Sequence, residues 1–273
     1  MINRGILLKS AREVLPVTLL LGALLMVMQA VLAYVLPTFS AQFSSQMLRI
    51  EFLRNLIQAM LGTDLAEGIG PQLFVAMPWV HPVVLALVWA HAIIVCTRVP
   101  AGEVDRGTID VLLGLPVSRW ELYVSETGAW VVSGIVLLVL GAAGNTIGTL
   151  LVGNASLRPE PGRVGLVVIN QLCLYLAVGA VAWFVASLSD RRGRAIGAVF
   201  VVVVASFLLN YLAQFWEPAA RAAPLGLLRY YRPLVVLRDG ALPLRDVIVL
   251  LSIAVVLWVT GGLIFARRDL ATL

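Results

Sequence analysis

The sequence carries little charge. Charged residues make up 13% of the 273 positions, against about 25% in an average soluble domain. Hydrophobic residues make up 60%, and the mean hydropathy is +0.96. This composition excludes an ordinary soluble domain and indicates several membrane-crossing segments. Basic residues also form no run interleaved with stacking aromatics, so we expect no nucleic-acid partner.

Motifs for catalysis are missing as well. The chain has no GxxxxGK[ST] phosphate loop, and its single lysine, Lys9, lies near the N-terminus. ATP hydrolysis by that route is therefore excluded. There is no HExxH or GxSxG motif, and Cys96 and Cys173 are spaced like no known metal site. We expect no catalytic residue, no metal site and no cofactor held by this chain.

Long apolar stretches are what the sequence does have. A helix needs about 20 mostly apolar residues to cross the hydrocarbon layer. Because these stretches are continuously apolar rather than alternating, they predict helices and not barrel strands. The sequence predicts an all-α membrane protein in which residues 1–273 form a single transmembrane domain. The predicted crossings are residues 15–36, 78–97, 128–152, 164–187, 195–214 and 247–265.

Short basic clusters give the orientation. Asp190-Arg191-Arg192-Gly193-Arg194 joins two predicted crossings directly, and Arg267-Arg268 follows the last one. Clusters in such short connections are usually retained in the cytoplasm. We therefore predict that both termini are cytoplasmic. Basic residues also flank the first crossing near the N-terminus, where the chain either lies along the membrane surface or simply anchors that crossing.

Two outer segments and one glycine pair carry further predictions. In the first outer loop, about residues 38–77, apolar residues recur at helical spacing and predict an amphipathic interfacial helix. Residues 215–246 contain four prolines, so short helical pieces are expected there. Gly144 and Gly148 permit close helix approach, either inside one chain or between two.

The predicted crossings contain no Asp or Glu. A carrier driven by protons or sodium usually needs an acidic residue in the membrane. Secondary transport is therefore disfavoured, although His91 can titrate and keeps that alternative open. Neutral polar residues in the crossings either bond between helices or line a substrate path. The candidates for these two roles are Gln29, His91, Asn145, Asn170 and Asn210.

The polar segment between the second and third crossings has a definite pattern. Gly107 breaks a turn, and the Thr108 hydroxyl can cap a following helix. Ile109 begins an apolar face that includes Leu112 and Leu113 and is expected to meet lipid or a partner's cleft. Pro116 ends the helix. The pattern predicts a short amphipathic helix for docking a soluble partner; an ordinary loop of mixed charge is the alternative. Charged contacts are offered by Glu103, Arg106, Asp110 and Arg119.

These residues resemble a known coupling region. Glu103, Gly107-Thr108, Leu112-Leu113 and Leu115-Pro116-Val117-Ser118-Arg119 look like the region that bacterial ABC-2 type transporter permeases use to meet their ATPase. The ending Phe265-Ala266-Arg267-Arg268-Asp269-Leu270 is similar to the end of many such permeases. One departure is Ser125-Glu126, which stands where family members often place a lysine.

The resemblance implies the membrane subunit of an ABC exporter in the bacterial inner membrane. Such a subunit is surrounded by lipid and pairs with a second permease, identical or different. A separate cytoplasmic ATPase, which binds ATP and magnesium, would dock beneath residues 100–120. The role of the coupling residues is mechanical and electrostatic, and none is catalytic. They are Glu103, Arg106, Gly107, Thr108, Leu112, Leu113, Pro116 and Arg119.

Two alternatives from other classes stay open at this point. One is a proton-coupled carrier that uses His91. The other is a membrane anchor or sensor that only recruits a soluble protein. Flux driven by ATP distinguishes the exporter from both.

Overall fold

The computed structural model describes residues 3–38, 50–52, 72–114, 116–153, 155 and 158–268. The amphipathic helix predicted in the first outer loop falls largely on residues 39–49 and 53–71, so it lies outside the described residues. Within the described part of the chain, regular structure is helical and no strand occurs. The all-α fold predicted from the sequence is confirmed.

The α-helices are numbered in chain order. Short helices lie in the second crossing, between the second and third crossings, and before the last crossing. The helices are α1 (Arg4–Thr38), α2 (Gln72–Val80), α3 (Pro82–Cys96), α4 (Glu103–Asp105), α5 (Ile109–Leu113), α6 (Arg119–Leu151), α7 (Pro161–Leu188), α8 (Arg192–Leu212), α9 (Glu217–Ala222), α10 (Pro233–Asp239) and α11 (Leu244–Arg267).

Among the described residues, six helical stretches are long and apolar enough to cross a membrane, as predicted. They are α1, α2 with α3, α6, α7, α8 and α11. Helix α6 has 33 residues, or about 50 Å, against a hydrocarbon layer of about 30 Å. The helices thus begin earlier than predicted because polar residues continue them beyond the apolar layer. At the N-terminus, residues 4–14 continue the first crossing rather than forming a separate helix.

Helices α1 and α6 pack backbone against backbone. A Cβ atom added at Gly144 would lie 2.0 Å from the Met26 carbonyl oxygen, and one at Gly148 would lie 2.2 Å from that of Ala30. These two glycines allow a contact that any side chain would prevent. Of the two roles left open for this glycine pair, the structure shows the contact within one chain.

The two ends of the bundle differ in character. At one end, which we call the basic end, residues 3–14, 98–114, 116–119, 189–194 and 265–268 lie together. The Asn3 amide donates to Ser125 Oγ at 2.9 Å, and Arg268 Nη1 donates to the Ser187 carbonyl at 3.0 Å. Both basic clusters that gave the predicted orientation thus lie at the same end, together with the N-terminal residues.

The opposite end is closed by short helical pieces. Helices α9 and α10 and two 3₁₀ turns occupy the proline-containing segment, which confirms that no long helix forms there. Tyr231 donates its hydroxyl to the Trp79 carbonyl at 3.1 Å. Burial raises the pKa of the Tyr231 phenol, so the donor stays protonated. Arg163 Nη1 donates to the Leu237 and Arg238 carbonyls at 2.6 and 2.9 Å, which ties α7 to α10.

Candidate functional site

The segment between α3 and α6 leaves the bundle at the basic end through an irregular turn. Residues 98–102 form a kink rather than a regular helical turn, and Val99 inside it has φ −125° and ψ 134°. A residue before proline is pushed out of the helical region, and Pro100 follows Val99. The second crossing therefore does not run on as a regular helix into the predicted coupling region.

Glu103 braces the segment from inside. Its side chain is almost buried, and Oε1 accepts from Arg106 Nη2 at 2.5 Å while Oε2 accepts from the Thr108 hydroxyl. The Thr108 amide also donates to the Glu103 carbonyl at 2.9 Å. Gly107, with φ +68°, makes this return possible, since positive φ is costly for other residues. The Thr108 hydroxyl was expected to cap α5; it bonds to Glu103 instead.

Helix α5 presents a tip to solvent. Ile109 is fully buried, whereas Val111 is 72% exposed. The expectation that Ile109 meets lipid or a partner was wrong, because this side chain anchors α5 to its own protein. Arg106, Thr108 and Asp110 are also exposed, and together with Val111 they form the surface that we call the α5 tip. Leu112 and Leu113 belong to α5 and Pro116 lies exposed in the bend after it.

Arg119 begins α6 and is engaged within the chain. Ser118 caps the helix through a capping box with Glu121. The Arg119 guanidinium then reaches the end of α11, where Nη1 donates to the Arg268 carbonyl at 2.5 Å and lies 3.4 Å from that of Phe265. The two motifs on which the family resemblance rests, the Pro-x-x-Arg turn and the C-terminal ending, are thus in direct contact.

An ionic network with a buried centre joins α1 and α6 to Arg98 at the start of this segment. Arg98 donates to Glu13 of α1 through Nη1 and to Glu126 of α6 through Nη2. Glu126 also accepts from the Ser10 hydroxyl. The sequence reasoning missed this network because it started the third crossing at residue 128. The available signal was Glu126 itself, the acidic residue at the position where the family often has lysine.

His91 lies at the centre of the bundle with both ring nitrogens engaged. Nε2 is 3.0 Å from Thr18 Oγ1, and Nδ1 is 3.0 Å from the Tyr175 hydroxyl. Tyr175 in turn lies 3.3 Å from the Trp130 carbonyl. This chain of contacts connects α1, α3, α6 and α7. His91 therefore acts as a contact between helices.

Three of the other polar residues singled out in the crossings also meet neighbouring elements. Asn145 Nδ2 donates to Gln29 Oε1 at 3.2 Å, which links α6 to α1. Asn170 Oδ1 accepts from the Arg232 amide at 3.2 Å. Asn210 lies partly buried on α8 and is also engaged. Of the five, Gln29, His91, Asn145 and Asn170 are buried in the chain.

An apolar cavity of about 360 Å³ lies between α3 and α8. The side chains that line it are aliphatic or aromatic, so it suits a hydrocarbon chain or ring better than a charged group. The lining residues include Leu85, Trp89, Ile93, Phe200, Val203 and Phe207.

Comparison with known families agrees with this architecture. The model of the family described as ABC-2 family transporter protein matches residues 12–270, which include all six crossings except the first turns of α1. No curated protein is similar enough to count as a match. The six crossings, the segment at the basic end and the family match lead to one identification. The chain belongs to the ABC-2 transporter family and is a multi-pass membrane component of an ABC transporter, not itself catalytic.

Proposed function

We propose that this chain is the permease subunit of an ATP-driven exporter in the bacterial inner membrane, with both termini in the cytoplasm. It forms the translocation path with a second permease and is coupled through residues 100–120 to a separate ATPase that binds ATP and magnesium. The observation that carries this proposal is the segment at the basic end. Glu103 and Ile109 hold it internally, Arg106 is exposed but paired with Glu103, and Asp110 and Val111 are exposed where a partner can meet them.

This division of roles refines the coupling surface inferred from sequence. Buried residues fix the shape of the segment, and exposed ones supply the contact. A partner that binds at the α5 tip pushes on a braced element rather than on a loose loop. Because Arg119 links the end of this segment to α11, a push is delivered to several crossings together.

The test is purification of this chain together with any ABC ATPase that it retains from the cells that produce it. We expect the ATPase to be retained in mild detergent and to hydrolyse ATP faster with the permease than alone. ATP-dependent flux into inverted vesicles then separates an exporter from an anchor, which would bind the ATPase without transport. If no ATPase is retained and none is stimulated, the proposal is wrong.

Replacing Val111 with aspartate is expected to weaken ATPase docking and leave the fold intact. Val111 is 72% exposed, so the variant loses no core contact; surface changes of this kind usually alter stability by less than about 0.5 kcal/mol. A buried apolar anchor at an interface typically contributes about 2 kcal/mol or more. The affinity of the ATPase for the permease, measured by microscale thermophoresis in detergent, checks this.

Leu225 supplies the matched control for the Val111 variant. It is 82% exposed and lies at the opposite end of the bundle. Leu225→Asp makes the same kind of change and is expected to leave ATPase affinity as in the wild type. Equal affinities for all three proteins would show that the α5 tip is not the docking surface.

The carrier alternative makes an opposite prediction at His91. If His91 serves as a contact between helices, His91→Gln should lose stability by about 1–3 kcal/mol and keep its stimulation of the ATPase between pH 6 and pH 8. Thermal unfolding and ATP hydrolysis measure the two effects. Transport driven by a pH gradient without ATP, lost in the variant, would instead establish a proton-coupled carrier.

A further inference from the structure

The Arg98 guanidinium connects two crossing helices, α1 and α6. It lies at the start of the segment between α3 and α6, which we call the coupling segment. It donates to Glu13 on α1 and to Glu126 on α6, and Glu126 accepts from Ser10 on α1 as well. Lys9 lies 3.3 Å from Glu13 and completes the network. Two cations thus face two carboxylates, and the network is balanced in charge.

The central pair of this network is removed from water. The Arg98 side chain is 11% exposed and that of Glu126 is 6% exposed, whereas Glu13 and Lys9 are each more than 40% exposed. A buried ion pair adds little net stability compared with apolar residues of similar size. Its geometry, however, holds three chain segments at defined positions.

The coupling segment is attached to the crossing helices through two side chains, those of Arg98 and Asp105. Val99, directly after Arg98, departs from helical dihedral angles, so the chain beyond α3 does not continue that helix. Further along, the segment is held to α8, where the Arg192 amide donates to Asp105 Oδ2 at 3.3 Å. Arg98 is thus the attachment towards α1 and α6, and Asp105 is the attachment towards α8.

Helices α1 and α6 are in direct backbone contact. Their backbones meet at Gly144 and Gly148, far along the helices from Glu126. Asn145 and Gln29 add a hydrogen bond of 3.2 Å in the same region. A displacement applied at Glu126 is therefore passed along both helices towards the opposite end.

We infer that Arg98 and Glu126 are positioning residues that transmit movement of the coupling segment to the α1–α6 pair. This inference rests on the proposed function, since it supposes an ATPase that moves the segment. Neither residue contacts nucleotide or cargo. Their role is to make the segment and the helix pair respond together.

The test replaces both partners, so that no unpaired charge stays buried. In Arg98→Met/Glu126→Leu, Glu13 keeps Lys9 as its partner, and a folded protein with near-normal melting temperature is expected. ATPase retention should be unchanged, because the α5 tip is untouched. Stimulation of ATP hydrolysis should fall by about tenfold, the size of a typical coupling between sites.

A distance measurement separates transmission from a general loss of structure. Spin labels are attached through cysteines at Leu151 and Leu244, exposed residues at the ends of α6 and α11. Native Cys96 and Cys173 are buried. In the wild type, ATP should shift the distance between the labels as measured by double electron–electron resonance. In the double variant this shift should be absent although the ATPase is bound.

The matched control removes an ion pair at the opposite end. Arg232 Nε lies 3.3 Å from Asp246 Oδ2, and Arg232→Met/Asp246→Leu should keep both the stimulation and the shift. The inference is overturned if Arg98→Met/Glu126→Leu keeps both, or if the control loses them equally.

If the test variant does not fold, Glu126→Gln, which leaves Arg98 paired with Glu13, decides the question by the same measurements. A wild type without stimulation would refute the proposed function itself.

Discussion

Replacing Glu103 with arginine is expected to abolish stimulation of the ATPase while the six crossings stay inserted. Glu103 is 6% exposed and accepts from both Arg106 and Thr108. Hydrogen bonds to a charged group contribute about 1.5–3 kcal/mol each. The variant loses both and places a second cation beside Arg106. The chain then no longer folds back at Gly107 so that Thr108 meets residue 103. The α5 tip is therefore displaced from the position at which a partner would meet it.

Two controls separate this effect from a simple change of charge. Glu103→Gln keeps an acceptor for both donors and should retain most of the stimulation. Glu217→Arg reverses a charge on an exposed residue of α9, at the opposite end, and should behave as the wild type, because it breaks only a surface ion pair with Arg221. Permease-dependent ATP hydrolysis in proteoliposomes and membrane content by immunoblot measure the outcome. Unchanged stimulation in Glu103→Arg would remove Glu103 from coupling.

The crossing helices could be predicted from the sequence because each depends only on the composition of one continuous stretch of residues. Each crossing must satisfy its own backbone and present apolar side chains to lipid, so a run of about 20 apolar residues predicts a helix wherever it occurs. The helix ends were less readable. Polar residues such as Glu126 extend a helix beyond its apolar run. Whether they are buried depends on partners from other parts of the chain.

The candidate site was readable only in part, for a related reason. A pattern of turns and apolar residues marks the segment after α3, but it does not tell which side chains face inward. Ile109 and Glu103 both look available to a partner in the sequence, and the structure buries both. The Arg98–Glu126 pair spans 28 positions, and no local pattern predicts such a contact. Long-range pairing is what the three-dimensional structure adds.

Replacing Gly144 with leucine is expected to prevent folding of the bundle. A Cβ atom at this position would lie 2.0 Å from the Met26 carbonyl oxygen and 2.7 Å from its carbonyl carbon. Backbone atoms cannot turn aside as a flexible side chain can, so α1 and α6 must separate. Overpacking in a core costs about 1–3 kcal/mol even where side chains adjust, and separating these helices also breaks the Asn145–Gln29 hydrogen bond and strains the Arg98 network.

A glycine elsewhere in the bundle shows whether the close approach itself is responsible. Gly165 lies exposed on α7 with no atom within 4 Å of an added Cβ, so Gly165→Leu should fold and, by removing a glycine from a helix, gain about 0.5–1 kcal/mol. Fluorescence-detected size-exclusion chromatography of fusions to a fluorescent protein measures the folded fraction. We expect a single symmetric peak for Gly165→Leu and aggregate for Gly144→Leu. A normal peak for Gly144→Leu would mean that α1 and α6 do not form the single body through which Arg98 is inferred to act, so this variant tests the transmission mechanism independently of any ATPase.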